Sequence, residues 1–185
     1  GFIANQSVRM DNYRIRRLNR SELGMAIEWA TSEGWNPGLH DAELFYLGDS
    51  EGFFAGEIGG RIVAVGSAVC YDQNYAFCGP YIVDPKFRGR GLGLALTKAR
   101  LGYCGDRNVG IDGVLANVEI YQRVGYKPFY MNHRFQTEAV SEEFDEKTVQ
   151  PINDAHISSI LAYDRHCFPA DRESFLRAWI RQPEG

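Results

Sequence analysis

Between Tyr81 and Arg100 the chain reads YIVDPKFRGRGLGLALTKAR, a strand-like triplet, a Pro turn, alternating Arg and Gly, and then a helical pattern. The N–H groups that open a helix lack intrahelical acceptors, and the helix dipole adds partial positive charge there, so such a junction holds phosphate. Gly89, Gly91 and Gly93 would let a bulky anion approach the main chain, and Arg88 and Arg90 add cationic donors. A pyrophosphate suits this arrangement. A P-loop is excluded because Thr97 precedes Lys98, the reverse of the required order. Gly89 and Gly91 supply the first half of a GxGxxG dinucleotide fingerprint, but the third glycine falls one residue early, at Gly93; Asp112, where a ribose-binding acid could stand, keeps that alternative open. What remains is Arg88-x-x-Gly91-x-Gly93.

The elements around this junction must position it. YRIRRL (13–18) alternates as a strand and leads through Asn19 and Ser21, plausible caps, to a helix with Leu23, Ala26, Ile27 and Ala30 at helical spacing. EGWNPG (33–38) breaks that helix. LHDAELFYL (39–47) offers a second, with Leu39, Ala42, Phe45 and Tyr46 on one side, Asp41 turned away and Glu43 near the edge. Residues 52–71 read as a hairpin turning at Gly59-Gly60, and YAFCGPYIV (75–83) as a third run broken or bulged at Gly79-Pro80. The helix after the glycines carries Leu92, Leu94, Ala95, Ala99 and Leu101. VGIDGVLA (109–116) reads as a buried strand, VEIYQRV (118–124) as one or two helical turns, and YKPFYM (126–131) as another strand. The fold class is α+β, or mixed α/β.

The 185 residues, 44% hydrophobic with net charge -4, suffice for one domain and something extra. Laid 134 residues apart, the two ends match weakly: Leu18 faces Ile152, Asn19 faces Asn153, Leu23 faces Ile157 and Ile27 faces Leu161. We therefore divide the chain into an N-terminal tail (1–12), a first domain (13–138), and a linker with an incomplete second unit (139–185), the acidic stretch 139–147 being the linker. The acidic balance provides no cationic face for nucleic acid. Cys70, Cys78, Cys104 and Cys167 are scattered without a CxxC pair, and no apolar run is long enough to span a bilayer. A reduced, cytoplasmic protein without a metal or membrane partner is expected.

With Arg88-x-x-Gly91-x-Gly93 after YIV, and YQRVGY (121–126) downstream, the sequence resembles the GNAT superfamily of acyl-CoA-dependent N-acetyltransferases over residues 13 to 135. The matching segments are that family's [QR]-x-x-G-x-[GA] motif and its Y-x-[KR]-x-G-[FY] segment. EGWNPG and the weak repeat further resemble a branch with a second GNAT-like C-terminal unit. The resemblance implies a mostly antiparallel sheet flanked by helices, whose fourth and fifth strands splay to admit pantetheine. It also implies backbone contacts from Tyr81, Ile82 and Val83, and a pyrophosphate on the amides of Arg88, Gly89, Arg90, Gly91, Leu92 and Gly93, with acetyl-CoA as cosubstrate.

The resemblance makes Tyr121 the acid that protonates the departing thiolate, since a phenol keeps its proton at neutral pH. Relatives often carry a Glu on the fourth strand where Phe77 stands here, so the base would be Asp41 or Glu43, or else the amine enters already deprotonated. Cys78 as an acyl-carrying nucleophile lacks a nearby His and reads better as packing. The Asn that relatives place before the Tyr falls on Val114 here, so its role is not transferred to Asn117. Aromatic residues on the acceptor side favour a small or partly apolar primary amine, with a homodimer as one possible assembly. The competing reading is a non-catalytic acyl-CoA-binding regulatory module.

Overall fold

The computed structural model describes residues 12–138 and 149–182. Strand β1 (Tyr13–Arg17) pairs antiparallel with β2 (Phe53–Ile58), which pairs with β3 (Arg61–Ser67). The β2–β3 turn is made by Gly59 and Gly60, at φ 58° and 77°, the backbone that a tight hairpin requires and that glycine adopts without a Cβ clash. Two helices lie between β1 and β2: α1 (Leu23–Ser32) and α2 (Asp41–Gly48). After β3 come β4 (Val69–Cys70), β5 (Tyr75–Cys78), β6 (Tyr81–Val83), helix α3 (Leu92–Cys104) and β7 (Asn108–Ile111). They form two sheets, ordered β1-β2-β3-β6 and β4-β5-β7, with only β5 and β7 parallel.

Alternation along the strands divides the core into two layers. On one face Leu18, Leu23, Ala26, Ala30, Phe53, Ala55, Val65, Val69 and Ile82 pack beneath α1, and Trp35, Phe45 and Tyr46 join them. On the other, Phe54, Ala64, Ala68, Ala76 and Cys78 meet Leu96 and Cys104 of α3. Helix α3 buries the row Leu92, Leu96, Arg100 and Cys104, spaced four apart. Leu92 and Leu96, at 1% and 0% exposure, each contribute about 1.5–3 kcal/mol by leaving water. Leu94, expected on the apolar face, is exposed. Asp49 ties the layers together, accepting from the Cys70 N–H at 2.8 Å and from the Tyr103 hydroxyl at 2.9 Å.

Two expected strands fall short. Residues 112–116 leave the sheet after Ile111 and are exposed, with Leu115 at 68%. Residues 126–131 pair with no described strand, and Phe129 is 93% exposed. Both have strand-like composition, but a strand exists only where a neighbour accepts its ladder. Between them runs the short helix α4 (Val118–Arg123).

The C-terminal residues form α5 (Ile157–Cys167) and α6 (Glu173–Ile180). Asn153 opens a 3-10 turn, Asp154–His156, that runs into α5, as Asn19 opens Arg20–Glu22 ahead of α1; both starts are capping boxes. Phe175 stacks on Phe45 of α2 with centroids 5.0 Å apart, and Phe168 meets Tyr71 and Tyr75 edge-on at 5.2 and 5.4 Å. Arg172 lies over Phe168 at 3.9 Å and pairs with both oxygens of Asp164 at 2.9 and 2.6 Å. Most of the expected N-terminal tail, through residue 11, and the expected linker at 139–147 lie outside the described residues.

Candidate active site

The centre of the site is a one-residue slip in the sheet. β3 and β6 pair Ala64 with Val83, Val65 with Ile82 and Gly66 with Tyr81, a register that puts Pro80 opposite Ser67. β4 and β5 pair Val69 with Phe77 and Cys70 with Ala76, a register that puts Gly79 opposite Ser67. Two residues thus face one, which is a β-bulge. Gly79 is required here, because a Cβ would stand 2.6 Å from the Ser67 hydroxyl.

Below the bulge β5 pairs with β7; above it β6 has no partner on that side among the described residues. A wedge opens between β6 and β7. Ser67 N–H donates to the Pro80 carbonyl and Asp84 N–H to the Val63 carbonyl, both at 2.9 Å, so residues 80, 82 and 84 direct their main-chain groups toward β3. By alternation Tyr81 and Val83 direct theirs into the wedge. Ile82, expected beside them as a wedge contact, turns its main chain to β3 and buries its side chain under α1.

Arg88 to Gly93 form the mouth of the wedge. Gly89 and Gly91 sit at φ 73° and 78°, left-handed backbone that side chains disfavour. Gly93 is glycine for another reason: a Cβ there would stand 2.1 Å from the Tyr81 hydroxyl and 3.3 Å from Val83 Cγ2. The first α3 bond runs from Ala95 N–H to the Gly91 carbonyl, which leaves the amides of Leu92, Gly93 and Leu94 directed out of the helix start. Arg88 donates through Nε to the Val83 carbonyl at 2.9 Å and forms an ion pair with Glu33, so α1, β6 and the glycine loop are joined at one guanidinium. Arg90 donates to the Lys86 carbonyl and lies over the Phe87 ring.

At the base of the wedge the buried Cys78 thiol lies near Cys104, Tyr126 and Arg100. The Cys104 hydrogen bond, followed by the Arg100 charge, holds it below the ordinary thiol range. The proximity of Cys78 pushes Cys104 upward, and burial pushes Tyr126 upward. Tyr121 meets Tyr126 edge-on at 6.4 Å, its ring filling the space where Gly113 has no side chain.

Behind the bulge, on the α1–α2 side, a cavity of about 90 Å³ is lined by Leu23, Ile27, Phe45, Tyr71, Phe77 and Pro80, with Ser67 and Asp41 its polar members. Burial pushes the Tyr71 phenol up to about 12. Asp41 borders this cavity, and its carboxylate is turned to Gly38, whose N–H Oδ2 accepts at 2.8 Å. Glu43 is exposed and paired with Arg20 at 2.8 Å. Arg100 and Tyr126 carry weight that the sequence reading did not give them; the signal for Arg100 was its place in the row Leu92, Leu96, Cys104. Among the described residues, no helix is long and apolar enough to cross a membrane, and no group of His, Cys, Asp or Glu could hold a metal ion.

The chain is similar to holothin acyltransferase of Pseudoalteromonas sp. (strain SANK 73390), 30% identical over 183 residues that cover 94% of this chain. It spans 62% of that relative's length. Its fold is similar to that of a candidate acetyltransferase from Pyrococcus horikoshii, with TM-score 0.69 at 16% identity over 93% of this chain and 63% of the other. Rv2747 from Mycobacterium tuberculosis, in complex with CoA, aligns with TM-score 0.53 at 18% identity over 83% of this chain and 92% of its own. The profile of the Acetyltransferase (GNAT) family matches residues 13–126, from the first residue of β1 to the tyrosine beneath the wedge, and the chain belongs to that family.

Proposed function

We propose that the chain transfers an acetyl group from acetyl-CoA directly to the primary amine of a small, partly apolar acceptor. The observation that carries this reading is the slip at Ser67, which opens the β6 edge to the wedge on one side and lines the apolar cavity on the other. Pyrophosphate would rest on the amides from Arg88 to Gly93. The Tyr81 N–H, first after the bulge, would polarise the thioester carbonyl, a role worth about 3 kcal/mol in a transition state. The amine attacks the carbonyl carbon, the C–S bond breaks, and Tyr121 supplies the proton that leaves with CoA as its thiol. With Glu43 held by Arg20, Asp41 is the base for the ammonium proton, directly or through water. The apolar lining favours an acceptor with an apolar body.

We further assign residues 139–185 to a linker and the start of a second GNAT-like unit, supported by the repeated capping box ahead of α5. The setting we propose is cytoplasmic. Phe77, where relatives often carry a carboxylate, favours one second reading, a non-catalytic acyl-CoA-binding module.

Thermal shift with acetyl-CoA, desulfo-CoA and NAD, followed by an amine screen that detects released CoA, separates the readings. Stabilisation by both CoA species and CoA release with a small amine are expected. Absence of stabilisation by CoA species overturns both acyl-CoA readings, and binding without release across the screen leaves the silent module.

A further inference from the structure

Pro80 creates a deficit that the fold has to meet. Ser67 N–H reaches the Pro80 carbonyl, but the reciprocal ladder bond would need an N–H at residue 80, and proline has none. A buried carbonyl left unpaired is costly. Arg100 supplies the missing donor, its Nε–H lying 2.8 Å from the Ser67 carbonyl. The arginine is 5% exposed, and Gly66 makes room for it, since a Cβ there would stand 2.9 Å from Arg100 Cδ.

A buried guanidinium needs a counter-charge. Among the described residues no carboxylate pairs with Arg100; its partners are the Ser67 carbonyl and the Tyr81 ring at 5.2 Å, and its charge favours the Cys78 thiolate. One side chain of α3 therefore joins β3 and β6 at the bulge. We propose that Arg100 is a positioning residue for acyl transfer: by donating to the Ser67 carbonyl and lying against the Tyr81 ring, it holds the bulge open and aims the Tyr81 N–H at the thioester. This inference rests on the acyl-CoA reading above.

The test uses the full chain as wild type, Arg100→Met, Arg100→Lys, Cys78→Ser and Pro80→Ala/Arg100→Met. Acetyl-CoA and desulfo-CoA affinities are measured by calorimetry, and thiolate is followed by its ultraviolet absorbance against pH without cofactor. The groups facing Cys78 are Arg100 and Cys104 of α3, Cys70 of β4 and Tyr126, so Cys78→Ser identifies which absorbance change is its own. In Arg100→Met, acetyl-CoA affinity is expected to fall about tenfold, with a smaller loss for desulfo-CoA, which has no thioester. Pro80→Ala returns an N–H to the ladder and should recover part of that loss. The Cys78 transition should move to higher pH in Arg100→Met and stay near its wild-type position in Arg100→Lys, the variant that keeps the charge and is read in the same way if the methionine variant does not fold. Equal losses for the two ligands, no recovery with Pro80→Ala, or an unmoved thiolate transition overturns the proposal. If acetyl-CoA fails to bind the wild type, the acyl-CoA reading falls, while the cofactor-free titration still decides whether the Arg100 charge acts on Cys78.

Discussion

Gly93→Ala probes the contact on which the wedge depends. The new Cβ would lie 2.1 Å from the Tyr81 hydroxyl oxygen, 3.1 Å from Tyr81 Cζ and 3.3 Å from Val83 Cγ2, where ordinary contact begins near 3.4 Å. The hydroxyl must retreat by more than an ångström, and the ring, packed between α3 and β6, takes the edge strand with it. Such overpacking costs about 1–3 kcal/mol. Alanine's better helix propensity returns about 1 kcal/mol, so the net loss is about 0–2 kcal/mol. In a chain of this size that lowers Tm by roughly 2–4 °C per kcal/mol. Tyr81→Phe removes the atom at 2.1 Å and leaves Cζ, which can yield by a few tenths of an ångström. Gly93→Ala in the Tyr81→Phe background should therefore be neutral or stabilising. Urea denaturation of the four proteins in a double-mutant cycle should yield a coupling of about 1 kcal/mol or more. Acetyl-CoA affinity should fall in the single Gly93→Ala variant and recover in the double. The same destabilisation in both backgrounds would refute the reasoning.

Two further outcomes follow from the structure. Tyr121→Phe is expected to lower turnover about a hundredfold while leaving acetyl-CoA affinity intact, and an unchanged rate in steady-state kinetics would remove its role as acid. Arg16 grips both Glu22 oxygens at 2.8 and 2.7 Å, and the Asn19 N–H adds a third bond, so the Glu22 carboxyl is held below its usual range. A depressed carboxyl stabilises the fold fully above its unfolded value and loses that contribution as pH falls through the folded value. Glu22→Gln should lower stability at neutral and alkaline pH, where the carboxylate contributes fully, and approach wild type at low pH, so that the acid limb flattens, as chemical denaturation across pH will record.

Local chemistry with one physical solution was legible in the sequence. Gly59-Gly60 between β-rich runs pointed to a tight turn, Gly79-Pro80 inside a strand to a bulge or a break, and the glycines after Arg88 to a helix start. Features that depend on a distant neighbour were not legible. YKPFYM has the composition of a strand and no partner to make it one. The buried face of α3 runs through Arg100 instead of Leu94, because a charge is welcome inside once a proline has deprived Ser67 of its donor and a thiol stands ready to face it. Asp41 borders the cavity for a comparable reason: the exposed Leu39 and the buried Leu44 rotate α2 from the orientation that its apolar pattern implied. Tyr126 looked like the end of a motif, and its hydroxyl acquired meaning only from Cys78, on a strand far away in sequence.

The slip at Ser67 also bears on how such a sheet could be made or lost. Removing Pro80 would bring the upper and lower registers into phase, let the ladder run unbroken from β3 through β4, and leave Gly79 to return a donor to the Ser67 carbonyl. The sheet would gain hydrogen bonds and regularity, and its stability would rise or hold. What would disappear is the mismatch that keeps β6 from following β5 onto β7. The cleft in this protein is therefore stored as a counting error of one residue between neighbouring strands, open to creation or erasure by a single codon insertion or deletion in a way that no substitution in its lining can match.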